Sequence, residues 1–244
     1  MKTQQQPVLI VAVGSAVLLA FFVLGVVVGP GLPWPPNDAK TIADFHKLFY
    51  YSAATTWKNS RWLGVPLQKF PTDLMVYQEI LWDTKPDVLV ETGTYKGGSA
   101  LYFASIMDLL QKGRVITIDV TDRGRPPHSR ITYPQGFSTA PEIVATVKGQ
   151  IAPGETAMVV LDSDHSYANV LKELQVYSPL VTKDAYLVVE DTSLNGHPVH
   201  AEVGPGPWEA LEDFLKSDSS LVRDRTREKY MLTSYPGGFL RKIR

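Results

Sequence analysis

The chain has 244 residues, 44% hydrophobic and 20% charged, a globular composition that suits one large domain or two small ones and excludes wholesale disorder. Twenty-four Lys+Arg against twenty-five Asp+Glu leave a net charge of −1, so no overall positive field draws the chain to nucleic acid. With no cysteine, the chain has no disulfide framework, thiol nucleophile, zinc–thiolate site or cysteine-ligated iron–sulfur cluster, and its chemistry rests on oxygen and nitrogen groups.

The first feature along the chain is Pro7–Val28, PVLIVAVGSAVLLAFFVLGVVV, without a charge. At about 1.5 Å per residue a helix here is roughly 33 Å long, enough to cross a hydrocarbon core of about 30 Å. A secretory signal peptide has a shorter apolar core and a small-residue cleavage site. Here the run ends in GPGLPWPP (29–36), which has no Ala-x-Ala pattern and reads as a stiff linker with Trp34 at interfacial depth. The expectation is a single-pass membrane protein, with residues 1–36 as anchor and linker in the lipid bilayer and 37–244 as the folded domain.

Within 37–244, residues 38–62 read as helical, with Ile42, Phe45, Phe49 and Tyr50 at i, i+3, i+4 spacing. A second amphipathic helix starts at Thr72. Strands are expected at 87–90, 114–120, 130–133, 157–162 and 185–191, alternating with helices at 98–112, 139–150, 166–181 and 207–216. That alternation argues for an α/β, Rossmann-like, doubly wound and mostly parallel sheet covered on both faces. The tail from Leu221 carries two strand-like runs joined by a polar turn, expected as an antiparallel pair closing the sheet edge.

In such sheets ligands bind beyond the carboxyl ends of the strands. The first strand runs into Glu91-Thr92-Gly93-Thr94-Tyr95-Lys96-Gly97-Gly98-Ser99, a glycine turn opening a helix. It is not the G-x-G-x-x-G of dinucleotide folds, because position 95 is Tyr. Acidic Glu91 suits a cation such as an ammonium or sulfonium rather than a diphosphate. Asp119, twenty-one residues after Gly98 at the next strand end, suits a ribose diol. Two further strands end in Asp162-Ser163-Asp164-His165-Ser166 and Glu190-Asp191-Thr192. Four carboxylates at neighbouring tips repel one another unless a cation or protons neutralise them, and oxygen ligands favour Mg²⁺ or Ca²⁺. Asp164 and Ser166 also suit helix caps. His165 is placed to act as general base, and His197 sits on a long Gly/Pro loop (195–208) expected as a lid or substrate wall. His200 has no such context.

VLVETGTYKGGSALYFA (88–104), LDSDHSYANVLKEL (161–174), YLVVEDTSLNGHP (186–198) and EKYMLTSYPGGFLRKI (228–243) together resemble the cephalosporin hydroxylase family. Despite its name that family consists largely of Rossmann-like S-adenosylmethionine-dependent O-methyltransferases, including the cephamycin 7-methoxylation and rhamnosyl types. The resemblance covers about 40–244. It implies a cofactor site at Glu91, Thr92, Gly93, Thr94, Gly97, Gly98, Ser99 and Asp119, and Mg²⁺ on Glu190, Asp191 and either Asp162 or Asp164. The segment GFST (136–139) matches one that usually reads Gly-Asp/Ser-Ser-Thr, which leaves Ser138 as a cofactor contact where Phe137 replaces the polar residue. The implied reaction is methyl transfer to a sugar or small-molecule hydroxyl, with His165 or a metal-bound carboxylate (Asp164 among them) taking the proton. A cytosolic cofactor places the domain on the cytosolic side of the expected membrane. The competing expectations are a nicotinamide-dependent oxidoreductase and a membrane-tethered, non-catalytic cofactor-binding protein. A homo-oligomer packed through 38–62 is also open.

Overall fold

Runs such as Val88–Thr92, Arg114–Ile118 and Ala157–Leu161 are β-branched and apolar, and side chains on both faces are buried, as in a sheet packed between two helical layers. The computed structural model describes residues 36–244. The chain divides into two units, Met1–Thr41 and Ile42–Arg244. Of the first, only the start of helix α1 (Pro36–Tyr51) is described; the second holds every other described element.

A small hairpin, β1 (Arg61–Trp62) and β2 (Val65–Pro66), comes first, and α2 (Pro71–Thr84) is next. Then come β3 (Val88–Thr92), α3 (Gly98–Leu110), β4 (Arg114–Ile118), β5 (Ile131–Thr132), α4 (Pro141–Gly149), β6 (Ala157–Leu161) and α5 (Tyr167–Tyr177). The remainder is β7 (Tyr186–Val189), α6 (Pro207–Ser217), β8 (Leu221–Arg223) and β9 (Phe239–Lys242). The seven-stranded sheet has the order β5-β4-β3-β6-β7-β9-β8. β9 runs antiparallel to both its neighbours, and the other pairings are parallel. The mostly parallel doubly wound sheet and its antiparallel closing pair are as expected from the sequence.

Register determines where the site lies. Val88 is level with both Arg114 and Ala157, and Thr92 with both Ile118 and Leu161. Leu161 is in turn level with Val189. Gly93, Asp119, Asp162 and Glu190, each one residue beyond its strand, therefore leave the sheet in one row. The row straddles β3 and β6, where the strand order reverses direction, the switch point at which such sheets bind ligands.

Three expectations change. The helix over 38–62 stops at Tyr51, because side chains take its last carbonyls. The Thr56 hydroxyl donates to the carbonyls of Phe49 (2.7 Å) and Ser52 (3.0 Å), and the Trp57 indole donates to that of Tyr50 (3.0 Å). The chain then turns through Leu63 (φ 46°) and Gly64 (φ 86°), the positive-φ pair a two-residue hairpin needs. In the tail, the polar turn between the last two strands is a long loop, 224–238, which comes back to the strand tips. Finally, the single-pass membrane placement, with its cytosolic orientation, is withdrawn: among the described residues no helix is long and apolar enough to cross a membrane. The longest of them, α1, has 16 residues, about 24 Å. The apolar run 7–28 on which that expectation rested lies outside the described residues.

Candidate active site

Beyond the aligned tips lies a cavity of 580 Å³, a size suited to a nucleotide-like ligand with a small second substrate. Of the expected cofactor residues, Gly93, Thr94, Gly98, Ser99, Asp119 and Ser138 line it. Gly93 (φ 89°) passes so close to β6 that a Cβ would lie 1.7 Å from the Asp162 carbonyl oxygen. Gly98 lets α3 pack on the hairpin, since a Cβ there would lie 2.1 Å from the Pro66 carbonyl oxygen. The Asp119 carboxylate accepts the backbone N–H of Tyr95 (2.8 Å) and Thr121 (3.0 Å), fixing the glycine turn to the tip of β4. Tyr95, Ile118, Val120, Arg123 and Phe137, which sequence reasoning did not place, complete this end. Phe137 is 74% exposed at the mouth.

Glu91, Thr92 and Gly97 are not part of the wall. Glu91 is fully enclosed, and its Oε2 accepts the Thr117 hydroxyl at 2.6 Å. Burial pushes its carboxyl up to about 7 against the pull of Lys69, Ser99 and Thr117. A direct contact from Glu91 to a ligand cation is thus corrected to a buried position behind the turn. Thr92 ties the tips of β3 and β6 together, its carbonyl and hydroxyl both accepting the Asp162 N–H. Gly97 (φ 77°) faces Pro126.

The carboxylate end is more densely connected than the sequence suggested. Asp162, His165 and Asp191 bring ligand-type atoms within 4.8 Å of one another. His165 Nε2 lies 3.0 Å from Asp191 Oδ2 and 3.9 Å from Asp162 Oδ1. Glu190 and Asp191 are adjacent in sequence, and strand alternation would send them to opposite faces. Asp191 instead adopts φ 55°, a left-handed bend, and both line the cavity. Asp162, not Asp164, joins this cluster. Asp164 is exposed at the cavity lining, its Oδ1 accepting the Ser166 N–H (3.0 Å) just before α5, and it lies outside the three-residue cluster.

Burial opposes charge on His165, but Asp191, through its charge and hydrogen bond, and then Asp162 and Glu190, raise its pKa to about 9. Burial works to raise the Asp191 carboxyl, yet His165 and the Ser234 hydroxyl hold it below its ordinary value. These carboxylates favour the protonated imidazole, and a positive charge bound beside them would oppose it.

Sequence reasoning missed the residues that hold this cluster. Lys69, 3% exposed, donates to Asp162 Oδ2 (2.8 Å) and Glu190 Oε2 (2.6 Å). Tyr77 of α2 donates to Glu190 Oε1 (2.6 Å). Burial and the Asp162 charge push the Glu190 carboxyl well up, while Lys69 and Tyr77 pull it back. From the tail loop, the Ser234 hydroxyl donates to Asp191 Oδ1 (2.7 Å) and the Ser234 N–H to buried Asp73 (2.9 Å). The only sequence signal for Lys69 was a lysine between apolar Leu67 and Phe70. The loop 195–208 contributes less than expected. His197 stacks on Trp208 (centroids 4.6 Å apart), bonds Glu209 (2.9 Å) and does not line the cavity. His200, by contrast, meets Tyr50 edge-on at 5.3 Å, and Tyr50, Trp57 and Phe70 form an aromatic wall beside Asp191.

Residues 54–243 match the family model described as Rhamnosyl O-methyltransferase/CmcI. The chain belongs to this family. A rhamnosyl O-methyltransferase of Mycobacterium bovis is 37% identical over 215 residues, covering 84% of this chain and 86% of that protein. One of Mycobacterium leprae is 36% identical over 218 residues, covering 86% and 93%. The solved structure "cmcI-D160 Mg-SAM" superposes with a TM-score of 0.60 at 22% identity, covering 77% of this chain and 78% of that one. MycE methyltransferase, in complex with Mg and SAH, gives 0.52 at 17% identity, covering 100% and 68%. These two share the S-adenosylmethionine methyltransferase fold, and with that membership neither the oxidoreductase nor the non-catalytic reading has support.

One stability prediction arises from the support of this cluster. Burial raises the Asp73 carboxyl to about 7, against hydrogen bonds from Thr233 and Ser234 and the Lys69 charge. The folded state therefore binds this proton more tightly than the unfolded chain, whose carboxyl titrates near the ordinary value of about 4. Stability falls as pH rises through that window, and the penalty is complete above about pH 7. Asp73→Asn is expected to raise the melting temperature by several degrees at pH 8 and to lose that advantage near pH 4, as differential scanning fluorimetry at the two pH values will show.

Proposed function

We propose that residues 37–244 form a divalent-metal-assisted O-methyltransferase that moves the methyl of S-adenosylmethionine to a hydroxyl of a sugar, such as a rhamnosyl unit, or of a small natural product. The observation that carries this reading is the register-aligned row of strand tips. It puts a glycine turn and Asp119 at one end of a single cavity, and a carboxylate–imidazole cluster at the other, in a member of this family.

The residues fit both groups. Asp162 and Asp191 offer carboxylate oxygens suited to a hard divalent ion, with His165 and Glu190 alongside. S-adenosylmethionine supplies an electrophilic methyl group, and a bound divalent ion supplies Lewis acidity toward the acceptor oxygen. The glycine turn at Gly93 and the hydroxyl of Ser99 face the cofactor's amino-acid end, Asp119 its ribose, and Ser138 and Phe137 its base. Asp162 and Asp191 would hold the ion. Asp191 also fixes His165 through Nε2, which leaves the imidazole's other ring nitrogen, Nδ1, to take the acceptor's proton once the ring's charge is offset. The Tyr50–Trp57–Phe70 wall receives the acceptor and excludes water.

The test is transfer of labelled methyl from S-adenosylmethionine to rhamnosyl glycosides and to phenolic acceptors. Transfer to a hydroxyl is expected, with the rate reduced at least about 100-fold by EDTA and restored by Mg²⁺. No transfer to any hydroxyl would sink the reading, and transfer indifferent to EDTA would remove the metal from it.

A further inference from the structure

A buried acid, Glu190, beside a half-buried one, Asp162, at neighbouring strand tips needs a positive neighbour, and this chain supplies its own. Lys69 reaches them from the loop after the hairpin, not from any strand end. Its side chain is 2% exposed, at the lining of the cavity. It lies 2.8 Å from Asp162 Oδ2 and 2.6 Å from Glu190 Oε2. Tyr77 takes the other Glu190 oxygen, and Asp162 keeps Oδ1 turned toward His165. We propose that Lys69 is a built-in counter-cation: it holds Asp162 and Glu190 in place while no divalent ion is bound, and it weakens the ion's binding by competing for the same carboxylates. The inference rests on the divalent-ion reading above and deepens it.

Such a lysine has two physical effects. First, a unit positive charge a few ångströms from a divalent ion in a poorly hydrated site opposes binding, so its removal tightens binding about tenfold or more. Second, deleting Lys69 removes the counter-charge from buried Glu190 and half-buried Asp162, leaving Glu190 only the Tyr77 hydroxyl, which destabilises the ion-free protein, and an added ion makes good that loss. Lys69 is thus a positioning residue for the cluster whose effect is read in ion binding rather than in turnover alone.

The experiment is calorimetric titration of Mn²⁺ into the wild type and the Lys69→Met, Lys69→Gln and Asp191→Asn variants, with melting temperatures measured with and without Mn²⁺. Lys112→Met serves as control, because that ammonium pairs with Asp87, 3.1 Å away and apart from the cavity. Lys69→Met and Lys69→Gln are expected to bind Mn²⁺ about tenfold tighter than wild type, to melt lower without it, and to gain more from it. Lys112→Met should match wild type. If the Lys69 variants are unfolded without ion, recovery of circular dichroism on adding Mn²⁺ supports the inference, and failure to recover overturns it. Folded Lys69 variants with a gain below about threefold overturn the role of Lys69 and leave the ion site standing. If Mn²⁺ binds neither wild type nor the Lys69 variants, or binds Asp191→Asn as well as wild type, the ion site itself is refuted.

Discussion

Asp191→Asn is expected to lower kcat for methyl transfer by about three orders of magnitude while leaving the Kd for S-adenosylmethionine within about threefold. The substitution keeps the shape of the side chain and removes its charge. Three functions depend on that charge. It is one of the two carboxylates proposed to hold the ion, it receives His165 Nε2 at 3.0 Å, and it is the first partner raising the His165 pKa to about 9. Amides that replace an orienting carboxylate beside a histidine base cost about 10⁴-fold in the best-studied hydrolytic triads, so a loss of about 10³ is a conservative expectation. The residues around Gly93 and Asp119 that are proposed to meet the cofactor lie at the other end of the cavity, which is why binding is expected to be spared. Single-turnover kinetics with equilibrium binding on the same preparation separates the two. A fall in kcat of less than tenfold would remove Asp191 from the reacting centre.

Gly93→Ala is expected to be the most damaging single substitution for stability, lowering it by about 3–5 kcal/mol and the melting temperature by roughly 10 °C or more. Two effects combine there. A φ of 89° is left-handed backbone that costs an alanine about 1–2 kcal/mol. The added Cβ would also lie 1.7 Å from the Asp162 carbonyl oxygen, an atom fixed by the register of β3 and β6. Relief requires parting two central strands at the tips that carry the site. Gly124→Ala isolates the first effect, because Gly124 has φ 73° with nothing within 4 Å of an added Cβ. It should cost only about 1 kcal/mol. Urea denaturation of both variants measures the difference, and equal losses would mean that the close approach at Gly93 carries no cost.

The sheet was legible because its signal is local: buried apolar runs at the spacing of βα units. The tips were legible because in such folds the residue after each strand faces the ligand. Thus Gly93, Asp119, His165 and Asp191, named from the residues alone, line the cavity, as do Asp162 and Asp164, which the sequence left unseparated. Two kinds of error have physical causes. Where i and i+2 both carry acids, only the point at which the strand ends decides between them, and it ends at Leu161, which sets Asp162 in the cluster with His165 and Asp191 and leaves Asp164 exposed, bonded to the Ser166 N–H ahead of α5. Partners supplied from far along the chain leave no periodic trace. Lys69, Tyr77 and Ser234 reach the cluster from a hairpin exit, a helix and a late loop, and nothing near them in sequence announces it. The acids therefore seemed to require an ion for their neutralisation, whereas a lysine already supplies part of that charge.

The position of β9 bears on how the molecule is made. This strand is the latest in the described chain, yet it lies inside the sheet, hydrogen-bonded to β7 on one side and β8 on the other. The loop immediately before it delivers Ser234 to Asp191. On a ribosome, then, the earlier strands emerge with an open seam beside β7 and with Asp191 still lacking its serine. The carboxylate end of the cavity is therefore incomplete until almost all of the domain has been synthesised, and loss of β9 would expose the edge of β7 rather than trim a fringe.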